Sequence, residues 1–217
     1  MAGVAMAALG ERQAISEVLR IFSGLFDGPP PPAVAEVLLH DTIPALQRIW
    51  DCPPHDHGAQ IGDFEKEYEA LFLIPTHDHI SPYISHHQQK GERSRDGLVA
   101  DLAALAAAMG IPWRKDTFVP GRAFPVSPDH ISVAIGMAAI LLVAGEEGAS
   151  HAQRAAFWVR EILVACAGAL SDMREYIQAL ERPPRAYGAV VELAAAYLER
   201  CLREEVWEIR EDDALSA

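Results

Sequence analysis

Apolar side chains recur three and four positions apart through most of this chain, the period of a helix that buries one stripe. Ile15, Val18, Leu19, Phe22, Leu25 and Phe26 make the first stripe, and Asp27-Gly28 followed by four prolines gives it a hard stop, because proline has no N–H to extend the ladder. A second run, Ala33 to Trp50, carries Val37, Leu38, Leu46 and Ile49 on its apolar side, with Pro44 placed to kink or restart it. Phe64, Tyr68, Leu71 and Phe72 predict a short helix that closes before Pro75. Leu98, Leu102, Leu105 and Met109 predict another, ended by Gly110 and Pro112.

Residues 111 to 127 hold three prolines and Gly121, and their β-like fragment 118–126 is too broken to nucleate a sheet; the segment reads as a long connection between an N-terminal and a C-terminal helical half. Ser127-Pro128-Asp129 then opens a buried helix to about Val143: the serine can cap, the proline suits the first turn, and the aspartate faces the dipole. Ser150 can cap the next run, whose apolar positions Phe157, Leu163, Cys166, Leu170, Ile177 and Leu180 reach Pro183-Pro184 as one helix or two. Val190, Ala194, Tyr197, Cys201 and Val206 define the last helix, with Glu199, Arg200, Arg203 and Glu204 opposite. The expected fold is therefore all-α, a single-domain bundle of about eight helices with long loops over residues 1–217.

Composition narrows the function. Thirty-one acidic residues against 18 basic ones leave a net charge of −13, a field that repels phosphate backbones and disfavours nucleic acid as a partner. The same field steers cationic peptides inward. Cys52, Cys166 and Cys201 have no metal-like spacing, and the last two fall in apolar helical patterns, as thiols buried in a reducing compartment do. The first residues lack a basic start, so no signal peptide is expected. The longest apolar stretch, 131–144, is short of the roughly 20 residues a membrane span needs, and the chain reads as cytoplasmic with no stable membrane insertion.

Enzyme signatures are missing: there is no phosphate-cradling glycine loop, no Gly-x-Ser-x-Gly elbow and no His-Glu-x-x-His helix. The chemical alternative is a metal-binding helical enzyme or sensor built on His55, His57, His77 and His79, which form two His-Asp-His triplets. Against it, an i, i+2 spacing in extended loop turns the two rings of each triplet apart. Solvated loop histidines are the better reading.

Tyr68-x-x-Leu71-Phe72, a Pro82-Tyr83 turn, and Pro128-Asp129-His130-Ile131 before Met137-Ala138 follow one another in an order that resembles the TorD/DmsD/NarJ family of cytoplasmic chaperones. The likeness extends over roughly residues 10 to 205. It implies no catalytic residue and no cofactor of the chain's own. It implies a partner, the catalytic subunit of a DMSO-reductase-type molybdoenzyme, bound often by its twin-arginine leader until molybdopterin is inserted. Carried over by position, the implied peptide-binding residues are Leu71, Phe72, Pro128, Asp129 and His130, with Tyr68 and Tyr83 beside them. Two segments depart from the family pattern: Ile84-Ser85-His86-His87 after the turn, and 161–165 later. By spacing alone Tyr68, Leu71 and Phe72 belong to a core. By resemblance, Leu71 and Phe72 form an apolar floor and Asp129 receives a guanidinium, so that Asp129→Ala and Phe72→Ala would weaken peptide binding and leave melting unchanged. Monomer and domain-swapped dimer both fit the long loops.

Overall fold

The computed structural model describes residues 2–50, 52, 58–75, 77–87, 95–110, 127–144 and 149–208, and among them it has seven helices, one 3-10 turn and no strand. Helix α1 is Ala2–Asp27; Pro32–Val37, Leu38–Thr42 and Ile43–Ile49 run on as α2; Asp63–Tyr68 and Glu69–Leu73 run on as α3. The 3-10 turn Ile84–His86 follows, then α4 (Arg95–Ala108), α5 (Ile131–Ala144), α6 (Ala149–Ala179) and α7 (Ala186–Arg203). The all-α expectation holds. About eight becomes seven because the stretch before Pro183 is one unbroken helix of 31 residues. The connection expected at 111–127 lies outside the described residues except for Ser127.

Pro44 falls in the first turn of the α-helical stretch that restarts at Ile43. In a regular helix its ring would strike the carbonyl of His40, but the π-turn Leu38–Thr42 widens the backbone at that point and the Ile43 N–H reaches back to the Leu38 carbonyl.

Helix α5 is the axis of the bundle, packed between α1 and α6, and α6 in turn packs on α7. Ile131, Ala134, Ile135, Met137, Ala138 and Ala139 are all at most 1% exposed, so α5 is apolar on nearly every face, as a central helix must be. Its contact with α1 is close because small and hydroxylated residues meet there. Ser16 donates to the Ala139 carbonyl at 2.8 Å and Ser23 to the Ser132 carbonyl at 2.7 Å. A Cβ on Gly136 would stand 3.0 Å from the Ser23 hydroxyl.

The end of α1 shows how distant parts of the chain complete one another. Carbonyls 25 to 28 would ordinarily accept from N–H groups 29 to 32, and all four of those residues are proline. Two tyrosines replace the missing donors. Tyr187 of α7 directs its hydroxyl at Leu25 O (2.9 Å) and Gly28 O (3.2 Å). Tyr68 of α3 directs its own at Asp27 O (3.0 Å) and Phe26 O (3.4 Å). Burial holds both phenols in the donating, protonated form, the Tyr68 pKa rising to about 12 and that of Tyr187 further.

Candidate functional site

Three segments that carry the family likeness meet in one buried assembly. The Ile80 N–H donates to the Leu71 carbonyl at 2.7 Å, which fastens the chain after α3 back onto that helix. The next residues then lie against the start of α5: Ile84 N–H donates to Asp129 O and Ile131 N–H to Pro82 O, both at 2.9 Å, with Tyr83 opposite His130 in an isolated antiparallel bridge. The Ser85 hydroxyl donates to Asp129 Oδ2 at 2.6 Å, and the two residues are 6% and 3% exposed. A buried carboxylate needs such a donor.

Helix α5 starts later than the sequence suggested, at Ile131, with Ser127 to His130 forming a turn before it. His130 fills the capping position expected of Ser127: its carbonyl accepts the Ala134 N–H at 3.0 Å, and its Nδ1 lies 3.3 Å from the Ser132 N–H. The same Nδ1 stands 2.8 Å from the Ser132 hydroxyl. Tyr83 stacks edge-on against this imidazole at 5.3 Å. Burial first, and the neighbouring Asp129 charge second, raise the Tyr83 pKa.

The sequence-predicted residues thus come together, and they do so inside the protein. Tyr68, Leu71, Phe72, Pro128, Asp129 and His130 are buried and Tyr83 is half-buried. Phe72 is walled in by the rings of Phe26, Tyr68 and Tyr187, at centroid distances of 6.2, 5.4 and 5.7 Å. Leu71 and Phe72, expected as an apolar floor, face the core along their helical stripe, and Leu71 also borders a groove. Asp129, expected to receive a guanidinium, faces Ser85 instead. Of the histidine alternative, His77 is 90% exposed beside Asp78 (3.1 Å), while His55 and His57 lie outside the described residues. His79 is half-buried, and no three metal-ligating side chains converge among the described residues.

Glu67 escaped the sequence reading. From α3 its carboxylate accepts the N–H groups of Arg185 and Tyr187, each at 2.8 Å, and so caps α7 from another helix. Desolvation outweighs those bonds and raises its pKa. No local motif signals this cap, because donor and acceptor are more than a hundred residues apart in sequence.

Two grooves open beside the assembly. One, of about 500 Å³, is polar and mixed in charge, between α3 and the turn joining α6 to α7, with Glu67, Leu71, Asp78 and Arg182 on its walls. The other, of about 340 Å³, is walled by the 84–87 turn, α4 and α6 and is mostly apolar.

The described residues form an all-helical body in which two grooves flank the hydrogen-bonded clip of the 82–85 and 128–131 segments. The chain belongs to the nitrate reductase delta subunit family, the NarJ/TorD-like assembly chaperones of molybdoenzymes, whose family model matches residues 31–173 and so takes in both halves of the clip. No curated protein and no solved structure matches it. No helix among the described residues is long and apolar enough to cross a membrane.

Proposed function

We propose that this protein is a cytoplasmic, non-catalytic chaperone that binds the catalytic subunit of one DMSO-reductase-family molybdenum oxidoreductase, by a twin-arginine leader where the client has one. It holds that subunit until molybdopterin has been inserted. The observation that carries the reading is the convergence of Tyr68–Phe72, Pro82-Tyr83 and Pro128–Ile131 in one hydrogen-bonded assembly within the family-matched region. Their burial supports a framing role: Tyr68, Leu71, Phe72, Tyr83, Pro128, Asp129 and His130 fix the walls against which a peptide rests. The charge of −13 favours encounter with a basic leader, an attraction screened beyond about 8 Å at physiological salt.

Deleting the gene in the native host tests this. The client's catalytic subunit should then accumulate without molybdenum, measured by elemental analysis of the purified subunit, and a plasmid copy should restore the metal. A fully loaded subunit in the deletion strain would end the proposal.

A further inference from the structure

The groove between the 84–87 turn, α4 and α6 is apolar at its floor, where Ile84, Leu98, Leu102 and Ile162 are buried, and Trp158 stands at its side. It stays open because α6 presents small residues there. Gly168 is exposed, and a Cβ built on it would find nothing within 4 Å. One turn earlier Val164 is 49% exposed, an apolar side chain in water beside an apolar trough. Among the described residues no lysine or arginine lines the groove.

Carboxylates stand along α6 at both ends. Glu161 is on the wall, its side chain 33% exposed, with one oxygen, Oε1, paired to Arg160 at 3.1 Å. Asp172 lies beyond Gly168, 3.5 Å from His87 Nδ1, whose Nε2–H donates to the Ser81 carbonyl at 2.8 Å. At 1.5 Å of rise per residue the two carboxylates are about 16 Å apart along the helix, the length of roughly five residues of extended peptide. A volume of about 340 Å³ is near the small end of ligand sites and suits a few side chains rather than a buried helix.

We propose that this groove is the docking surface for a short extended apolar segment of the client polypeptide that carries a lysine or arginine at the Glu161 end. The inference rests on the chaperone reading and assigns its contact residues to Trp158, Glu161, Val164 and Gly168. The apolar side chains enter beside Trp158 and Leu102, and the cation shares the Glu161 carboxylate at a rim where charge selects the partner more than it holds it.

Full-length protein is titrated, by fluorescence anisotropy, with a labelled synthetic peptide rich in leucine and alanine that has arginine at one end, and with a twin carrying glutamate there. Wild type should prefer the arginine peptide. Gly168→Trp, which fills the trough from an exposed position, should weaken it by roughly tenfold or more. Glu161→Arg should weaken the arginine peptide by up to about fivefold and improve the glutamate one, a reversal that damage to the fold does not produce. Thermal melting of both variants at the wild-type midpoint shows that they fold. Equal binding of both peptides by wild type, or unchanged binding by Gly168→Trp, overturns the inference. So does a concentration-dependent dimer that Gly168→Trp abolishes, because the groove then receives a second copy. Wild-type capture of the client's catalytic subunit is measured alongside: if it persists in Gly168→Trp, the groove assignment fails and the chaperone reading stands, whereas if wild type captures none, the chaperone reading itself fails.

Discussion

Replacing Tyr187 with phenylalanine removes one oxygen from the centre of the protein and leaves the ring stack on Phe64, Tyr68 and Phe72 in place. The hydroxyl lost is the donor to Leu25 O and Gly28 O, carbonyls whose helical partners would be the nitrogens of Pro29 and Pro32. Leu25 lies in the core, so its carbonyl has no easy recourse to water. An acceptor stranded in this way costs about 1–3 kcal/mol. At roughly 2–4 °C per kcal/mol for a chain of this size, about 2 kcal/mol lowers the melting midpoint by roughly 4–8 °C. Urea unfolding followed by circular dichroism should show the midpoint falling with the slope unchanged, because the surface exposed on unfolding is the same. Tyr176→Phe is the matched control: its hydroxyl donates to the His77 carbonyl near the surface, and its loss should stay within about 0.5 kcal/mol. Alkaline pH gives a second readout. With its folded pKa above the ordinary 10.0, Tyr187 keeps its proton in the native state while the unfolded chain loses its own, so this contribution is intact below pH 10 and declines above it. The variant should show a shallower alkaline decline than wild type. A Tyr187→Phe protein as stable as wild type, with the same alkaline slope, would refute the assignment of these hydroxyls as the cap of α1.

Phe72→Ala should cost about 3–5 kcal/mol in urea unfolding, since it empties a site closed by three aromatic rings, so the unchanged melting expected from the sequence gives way to a large loss. For Glu67 the folded pKa is raised, so its protonated form contributes stability that is complete below the ordinary 4.5 and is lost as pH climbs through the folded value. The penalty of Glu67→Gln should therefore be larger in urea titrations near pH 4 than at neutrality, and the opposite trend would show that the two backbone bonds govern instead.

What the sequence disclosed and what it withheld follow from how far each interaction reaches. Helix ends at Asp27-Gly28 and Gly110 were legible because proline and glycine act on their immediate neighbours. The stop after α1 was plain, but its cap was not: Tyr68 and Tyr187 come from helices far along the chain, and nothing near residue 28 mentions them. Pro44 marked the place of the restart, but the π-turn that accommodates it leaves no composition signature. The Pro128 to Ile131 motif stands in the buried turn before α5, and its contact with Ser85 was not legible in the sequence. Ser85 follows the Pro82-Tyr83 turn and is the residue that engages Asp129, so the turn and the motif are two halves of one contact. The α6 groove was invisible for the opposite reason: Gly168 among alanines reads as an indifferent helical position until a neighbouring helix stands across from it.

The two-tyrosine closure of α1 also sets an order on biogenesis. Synthesis runs from the amino end, so the first helix emerges early with four carbonyls that its own downstream prolines are unable to serve. One hydroxyl arrives with residue 68 and the other only with residue 187, more than 150 residues after α1 ends. A nascent fragment ending before α7 lacks the piece that locks its beginning. The closure of α1 therefore waits on α7, the helix that brings Tyr187.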